Sequence, residues 1–488
     1  MSDLLQHLQK LQKSDEYPFH MPGHKRKFGS CFTDNPYGID ITEIEGYDNL
    51  YEADGILADA MERAAKVCGA EETFFLVNGS TVGLLAAITG VTNPGDRILV
   101  ARNCHKAVFH AMELRQLQAV YLYPEYVEDW DLLGGINPQE VLQKLKRYPD
   151  IKAVVITSPT YDGIVSPVKE IAGIVHEAGI PLIVDEAHGA HFPHDERFPE
   201  SAIQSGADVV VQSMHKTLPS FTQTALLHMK KGFADVDRIR EYIDFYQTSS
   251  PSYLFMAGMD KCMELIEKQG SHLWDEFFYL RNEFFEKIKG LDYIRIYKDN
   301  EPGKLVISVK NTAMTGRELH ERLLQDYHIQ MEMAAESYVL GIITMCDTKA
   351  GFDRLAEALM AVDRELAASE EKKRNMEEFV QLQQLNIDSS KSSEIVKNVF
   401  AETFMCEDVV YSLAEIRRIE KEAISLHTAE DRVASDYVNL YPPGIPLLIP
   451  GERISLKHIS LIQGYLAKRM HVQGIEDGKI WVCCQNEG

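Results

Sequence analysis

The chain is predicted to be an α/β protein built on a mostly parallel seven-stranded sheet. Three observations carry this: seven short apolar runs lie between residues 73 and 228, amphipathic helical stretches separate them, and polar residues suited to chemistry follow several of the runs directly. The runs are Thr73–Val77, Arg97–Val100, Ala119–Tyr123, Ala153–Thr157, Leu182–Asp185, Asp208–Gln212 and Ala225–His228. Strands alternating with helices form parallel sheets, and such sheets bind ligands at the carboxyl ends of their strands.

Further along, residues 235–290 read as long helices, and Lys304–Val309 with Val339–Met345 read as strands of a smaller α+β unit. The charged run Ala368 to Arg374 suits a solvated helix or linker, and Asp388-Ser389-Ser390-Lys391-Ser392-Ser393 a loop. The expected division is an N-terminal arm (1–35), a major domain (36–290), a small α+β domain (291–375) and a C-terminal α+β domain (390–488). A chain of 488 residues has ample core material at 45% hydrophobic, and cores rarely grow past ~250–300 residues without splitting.

The formal net charge of −24 argues against nucleic acid or an anionic membrane as partner, because either needs a basic face to displace counterions. Small cationic or zwitterionic partners fit better. Eight cysteines show no C-x-x-C spacing, so neither a disulfide framework nor a metal site is expected. The N-terminus lacks a signal-peptide pattern and no ~20-residue apolar stretch occurs, which predicts a cytoplasmic protein.

The chemistry concentrates after the strands. Leu182-Ile183-Val184-Asp185 delivers an acid at a strand end, and the run ending at Gln212 is followed by Ser213-Met214-His215-Lys216. Pyridoxal phosphate needs this pair: the lysine holds the aldehyde as a Schiff base, and the carboxylate keeps the pyridine nitrogen protonated so that the ring accepts electrons from a broken Cα bond. Taken singly, the lysine reads more readily as a solvated loop residue and the acid as a helix cap, and it is the two together, in this order, that point to the cofactor. Asn78-Gly79-Ser80-Thr81 opens a helix after the first strand and suits either a phosphate cup or an ordinary N-cap. His105, within Arg102-Asn103-Cys104-His105-Lys106, reads as a ring-stacking imidazole or as a structural histidine. Ser158-Pro159-Thr160-Tyr161-Asp162-Gly163 is a further strand end that suits one wall of a pocket.

With these motifs in place the chain resembles the Orn/Lys/Arg decarboxylases, pyridoxal-phosphate enzymes of the aspartate-aminotransferase fold (fold type I). The resemblance rests on Phe19-His20-Met21-Pro22-Gly23-His24-Lys25, the strand-end motifs above, Asp185-Glu186-Ala187-His188-Gly189, Thr248-Ser249-Ser250-Pro251-Ser252-Tyr253, Tyr441-Pro442-Pro443-Gly444-Ile445-Pro446 and Pro450-Gly451-Glu452. It implies that Lys216 carries the cofactor, Asp185 pairs with the ring nitrogen and His105 stacks on the ring. Ser80, Thr81 and Ser213 would hold the phosphate, His215 would support the lysine, and His188 would line the cofactor site. The implied reaction is α-decarboxylation of lysine, arginine or ornithine to cadaverine, agmatine or putrescine.

The resemblance also implies at least a homodimer, with the Pro22-Gly23-His24-Lys25 and Thr248-Ser249-Ser250 segments reaching the neighbour's cofactor. Large members of the family begin with a receiver-like wing domain, whereas this chain starts almost at Pro22-Gly23 and resembles the short type. Short chains carry Ala-Glu before the Tyr-Pro-Pro-Gly block, and here Ser435-Asp436 stands in that place. Asp436 and Glu452 are the candidates for reading the substrate's distal cation, Glu452 serving equally as a turn residue. An aminotransferase or aldolase of the same fold, or a catalytically silent homologue that binds pyridoxal phosphate, are the alternatives. A transaminase would need an arginine clamp, and no motif places one.

Overall fold

A computed structural model describes residues 13–26, 36–381, 408–440, 445–467 and 471–484. The large sheet contains β1 (Glu72–Leu76), β2 (Arg97–Ala101), β3 (Gln118–Leu122), β4 (Ile151–Thr157), β5 (Leu182–Asp185), β6 (Val209–Gln212) and β7 (Ala225–Met229). Its order is β1-β7-β6-β5-β4-β2-β3, the expected seven-stranded arrangement. β7 alone runs antiparallel, to both β1 and β6. Between β6 and β7 stands only the one-turn helix Met214–Thr217, and returning a chain in parallel needs a longer crossover.

The central strands explain their own placement. Ile183, Val184, Val209, Val210 and Val211 are all fully buried, as β-branched residues are in parallel strands covered on both faces. Helices α1 (Gly79–Val91), α2 (Lys106–Arg115) and α3 (Val168–Glu177) follow β1, β2 and β4. Their N-termini therefore stand at the carboxyl edge of the sheet, where unpaired N–H groups gather.

Residues 235–290 form Val236–Tyr246 and the long Tyr253–Lys287, as the pattern predicts. Lys304–Ser308 and Tyr338–Ile342 pair antiparallel within a four-stranded sheet. A second core joins this unit to the long helix through Trp274, Phe277, Phe284, Leu305, Ile307 and Val339. The N-terminal strand Tyr17–Phe19 pairs in parallel with Ile329–Met331, which ties the start of the chain to the small sheet.

The C-terminal unit holds two three-stranded antiparallel sheets and the helix Leu456–Ala467 around its own core of Leu426, Val438, Leu448, Ile454, Ile462 and Val482. The charged run after Ala368 falls within the helix Lys349–Gln381. The loop at 388–393, most of the 1–35 arm and the Tyr441-Pro442-Pro443-Gly444 block lie outside the described residues. Among the described residues no helix is long and apolar enough to cross a membrane, and six cysteines are free thiols.

Candidate active site

Adjacent strand ends assemble the site. Asp185 lies in register with Thr157 of β4 and Val211 of β6, so the acid stands beside the turn that leads to Ser213 and Lys216. Asp185 is buried, and among the described hydrogen bonds only the Ala187 N–H donates to it, at 3.1 Å. Burial raises its pKa, while the Lys216 ammonium and the Ala187 N–H pull it down. Burial in turn lowers the pKa of Lys216, against the pull of Asp185 and Glu332.

The hydroxyls of Ser80 and Ser213 meet at 2.5 Å, joining the N-terminus of α1 to the turn before Lys216. Asn78 caps α1 without a side-chain hydrogen bond, so the first N–H groups of that helix are left for another acceptor. Thr81 is exposed in the first turn. His105 caps α2, its Nδ1 accepting from the Ala107 N–H at 3.2 Å. Burial, with Lys216, Lys106 and His110 nearby, pushes the His105 pKa down to about 4, so the ring is neutral. His215 bonds the Thr224 carbonyl through Nδ1 at 3.0 Å, and burial brings its pKa to about 4 as well.

His188 occupies the centre. Its Nε2 lies 3.0 Å from Lys216 Nζ and its Nδ1 lies 2.8 Å from Lys304 Nζ, while Tyr161 packs edge-on against the ring at 4.9 Å. The Tyr161 hydroxyl donates to Glu332 at 2.6 Å, which places the 158–163 loop beside the lysine. Lys304, Glu332, Glu301 and Tyr338 escaped the sequence reading. Each comes from the small unit, more than a hundred residues from His188, and no local pattern announces such a contact.

The N-terminal motif lies against its own chain's lysine helix. The Gly23 N–H donates to the His215 carbonyl at 2.8 Å, and a Cβ on Gly23 would stand 2.8 Å from the Leu218 carbonyl oxygen. Only glycine fits there. Close backbone packing sets Gly23 against the lysine helix of its own chain. Thr248, Ser249 and Ser250 are exposed, with the Thr248 N–H donating to Asn78 at 3.2 Å.

The two acids proposed for the substrate are both already paired. Glu452 is buried, accepts from Arg102 Nη2 at 3.1 and 3.3 Å and from the Ile449 N–H at 2.8 Å, and so joins the C-terminal unit to the end of β2. Arg102 also donates to the Pro446 carbonyl at 2.8 Å. Asp436 pairs with Lys421 at 2.8 Å near the surface, its side chain 31% exposed.

These groups suit pyridoxal phosphate on the ground of Asp185 alone: a buried carboxylate with a single backbone donor needs a further proton donor, and a pyridinium N–H is one. Comparison with known proteins agrees. The chain is 30% identical over 478 residues to an arginine decarboxylase of Bacillus subtilis, covering 95% of this chain and 93% of that one. It is 35% identical over 489 residues to YaaO, an uncharacterized protein of the same organism, at 96% and 95% coverage. The crystal structure of a lysine decarboxylase from Francisella novicida shares its fold, with a TM-score of 0.75 and 20% identity over 98% of this chain and 80% of that one. The Orn/Lys/Arg decarboxylase major domain matches residues 2–357 and the C-terminal domain of the same enzymes matches residues 394–474, so the chain belongs to the Orn/Lys/Arg decarboxylase family.

Proposed function

We propose that this chain is a carboxy-lyase that removes the α-carboxylate of a basic amino acid with pyridoxal phosphate held at Lys216. The observation that carries this reading is the pairing of Asp185 and Lys216 at the ends of adjacent parallel strands, beside the joined hydroxyls of Ser80 and Ser213. When bound, the cofactor supplies an electron sink for the Cα–carboxylate bond.

The chain's residues do the rest. Asp185, whose pKa burial raises and the Lys216 charge pulls back down, would hold a proton on the ring nitrogen of the cofactor. Ser80, Thr81, Ser213 and the N–H groups at the start of α1 receive a phosphate. His105, neutral and half-buried, presents an apolar ring face without adding charge. Lys216, with a lowered pKa, offers its amine to an aldehyde, and His188 steers that amine. Burial of the surrounding carboxylate and imidazoles excludes water that would otherwise compete for their protons.

A basic substrate is favoured by the strong net negative charge, which draws cations toward the protein. Of the two candidate acids, Asp436 is the one with an accessible carboxylate, and a substrate cation can take the place of Lys421 there. Glu452 is a seam residue. An aminotransferase is disfavoured because Arg102, the buried arginine at this edge of the sheet, is committed to Glu452 and the Pro446 carbonyl. The exposed Thr248–Ser250 segment beside Asn78 supports a homodimer completed by a neighbour, the free thiols support a cytoplasmic setting, and the diamine or agmatine product would give the reaction a place in polyamine synthesis. The test is incubation of the purified protein and pyridoxal phosphate with lysine, arginine or ornithine, with mass spectrometry for cadaverine, agmatine or putrescine. One of these amines is expected, and transfer of the amino group to a keto acid without any of them would overturn the proposal.

A further inference from the structure

The helix that carries Lys216, Met214–Thr217, is a single turn, so its last carbonyls need donors from elsewhere. The Met214 carbonyl accepts from the Leu218 N–H at 2.9 Å, and in a continuing α-helix the His215 carbonyl would accept next from residue 219. That residue is Pro219, which has no N–H. Gly23, from the N-terminal arm, supplies the donor instead: its N–H meets the His215 carbonyl at 2.8 Å. A Cβ on Gly23 would stand 2.8 Å from the Leu218 carbonyl oxygen and 2.9 Å from the Thr217 carbonyl carbon, so the approach is open to glycine alone.

A separate set of contacts fixes Gly23 in that place. It lies in a turn closed by the Lys25 N–H on the Pro22 carbonyl at 3.2 Å. Lys25 is 1% exposed, and a lysine amine is costly to bury unless its N–H groups find acceptors. Its Nζ donates to the Ile342 carbonyl at 2.6 Å and the His20 carbonyl at 3.2 Å, and stands 3.9 Å from the Asp347 carboxylate. Asp347 is itself held by the Tyr17 hydroxyl at 3.0 Å and the Thr344 N–H at 2.7 Å. The Thr344 hydroxyl donates to the Gly23 carbonyl at 2.7 Å, and the Met21 N–H donates to Glu332 at 2.9 Å. Glu332, Ile342, Thr344 and Asp347 all belong to the small unit. The arm therefore takes its footing there and delivers one N–H to the lysine helix of the major unit.

We propose that Pro22-Gly23-His24-Lys25 positions the cofactor lysine: Gly23 caps the lysine helix with the N–H that Pro219 lacks, and Lys25 is the positioning residue that holds Gly23 in place. His215 is then fixed on two sides, by Gly23 at its carbonyl and by the Thr224 carbonyl at its ring, and Lys216 follows it directly in the chain. A single turn is too short to hold its own shape, so its order depends on such outside contacts. The proposal rests on Lys216 being the cofactor lysine.

Measurements on the full chain separate the proposal from that reading. Borohydride reduction with pyridoxal phosphate, followed by peptide mass spectrometry, is expected to find the pyridoxyl group on Lys216; a label on another lysine overturns both. Amide hydrogen exchange of the chain free of cofactor then tests the cap. In Lys25→Met the amides of Lys216 to Leu218 should exchange about tenfold faster or more, while those of the central strand Ile151–Thr157 keep their rate. The rate at which Lys216 captures pyridoxal phosphate, read as colour that borohydride fixes, should fall alongside. Thr344→Val, which removes the hydroxyl from the Gly23 carbonyl, should act in the same direction by less, and Thr344→Ser should restore the wild-type exchange. A merely structural Lys25 would speed exchange in the arm and leave the Lys216 to Leu218 amides and the capture rate where they were. Unchanged exchange at Lys216 to Leu218 in Lys25→Met, or in Thr344→Val where the methionine variant does not fold, overturns the proposal while leaving Lys216 as the cofactor lysine. An equal rise in Ile151–Thr157 overturns it as well, because Lys25 would then stabilise the whole chain without singling out the lysine helix.

Discussion

Two buried carboxylates, at the end of β5 and at the seam to the C-terminal unit, show opposite solutions to one physical problem. Burial raises the pKa of both Asp185 and Glu452. Glu452 is met by the Arg102 guanidinium and the Ile449 N–H, so its charge is answered inside the chain. Asp185 has a single backbone donor and a lysine in the vicinity. A satisfied acid holds a fold together, and an unsatisfied one awaits a ligand.

The largest expected effect lies at the unsatisfied acid. Asp185→Asn should lower turnover about a thousandfold, equivalent to ~4 kcal/mol in the barrier, because an amide cannot hold a proton on the nitrogen opposite. Its melting temperature without cofactor should equal or exceed that of the wild type, since a poorly compensated buried charge is removed. Steady-state rates and calorimetry check both halves, and a normal rate would make Asp185 another structural acid.

Glu452→Ala should show the reverse. It strands Arg102 in the interior and should cost ~3–5 kcal/mol of stability, read from denaturant unfolding. Relative rates on lysine, arginine and ornithine should stay unchanged in whatever folds; altered selectivity would return Glu452 to the substrate.

Acid should weaken the site region before the seam. His105 and His215 have folded pKa values of about 4, below the ordinary 6.5, so between those values the unfolded chain binds more protons. The stability contributed by these neutral rings is present above pH 6.5 and is lost as pH falls through 4. Melting curves from pH 7 to 4 should descend, and the descent should be shallower in His105→Phe.

The smallest stability effect is expected at Asp436. Its pair with Lys421 is exposed and contributes about 0–1 kcal/mol, so Asp436→Ala should melt within that margin of the wild type. Asp436→Glu should nonetheless shift preference between arginine and ornithine. Identical relative rates in both variants would end its candidacy as substrate reader.

The sheet was legible because its signal is local. Ile183, Val184 and Val209 to Val211 announce doubly covered strands, and Asp185 and Lys216 stand out as polar groups just past such runs. The reversal of β7 left its mark only in the short connection from Gln212 to Ala225, because apolar composition records burial and says nothing of strand direction. Half of the centre was legible for the same reason: His105, His188 and Ser213 follow strands of the large sheet, where pattern and position coincide.

What the sequence by itself determined is therefore the set of groups delivered by each strand, written within a few residues of one another. Tertiary structure alone decided their partners. Lys304 reaches His188 across 116 positions and Arg102 reaches Glu452 across 350, and Gly23 meets His215 from the N-terminal arm. Each such contact depends on how separate elements pack, and packing is a property of three-dimensional surfaces that no short-range periodicity encodes.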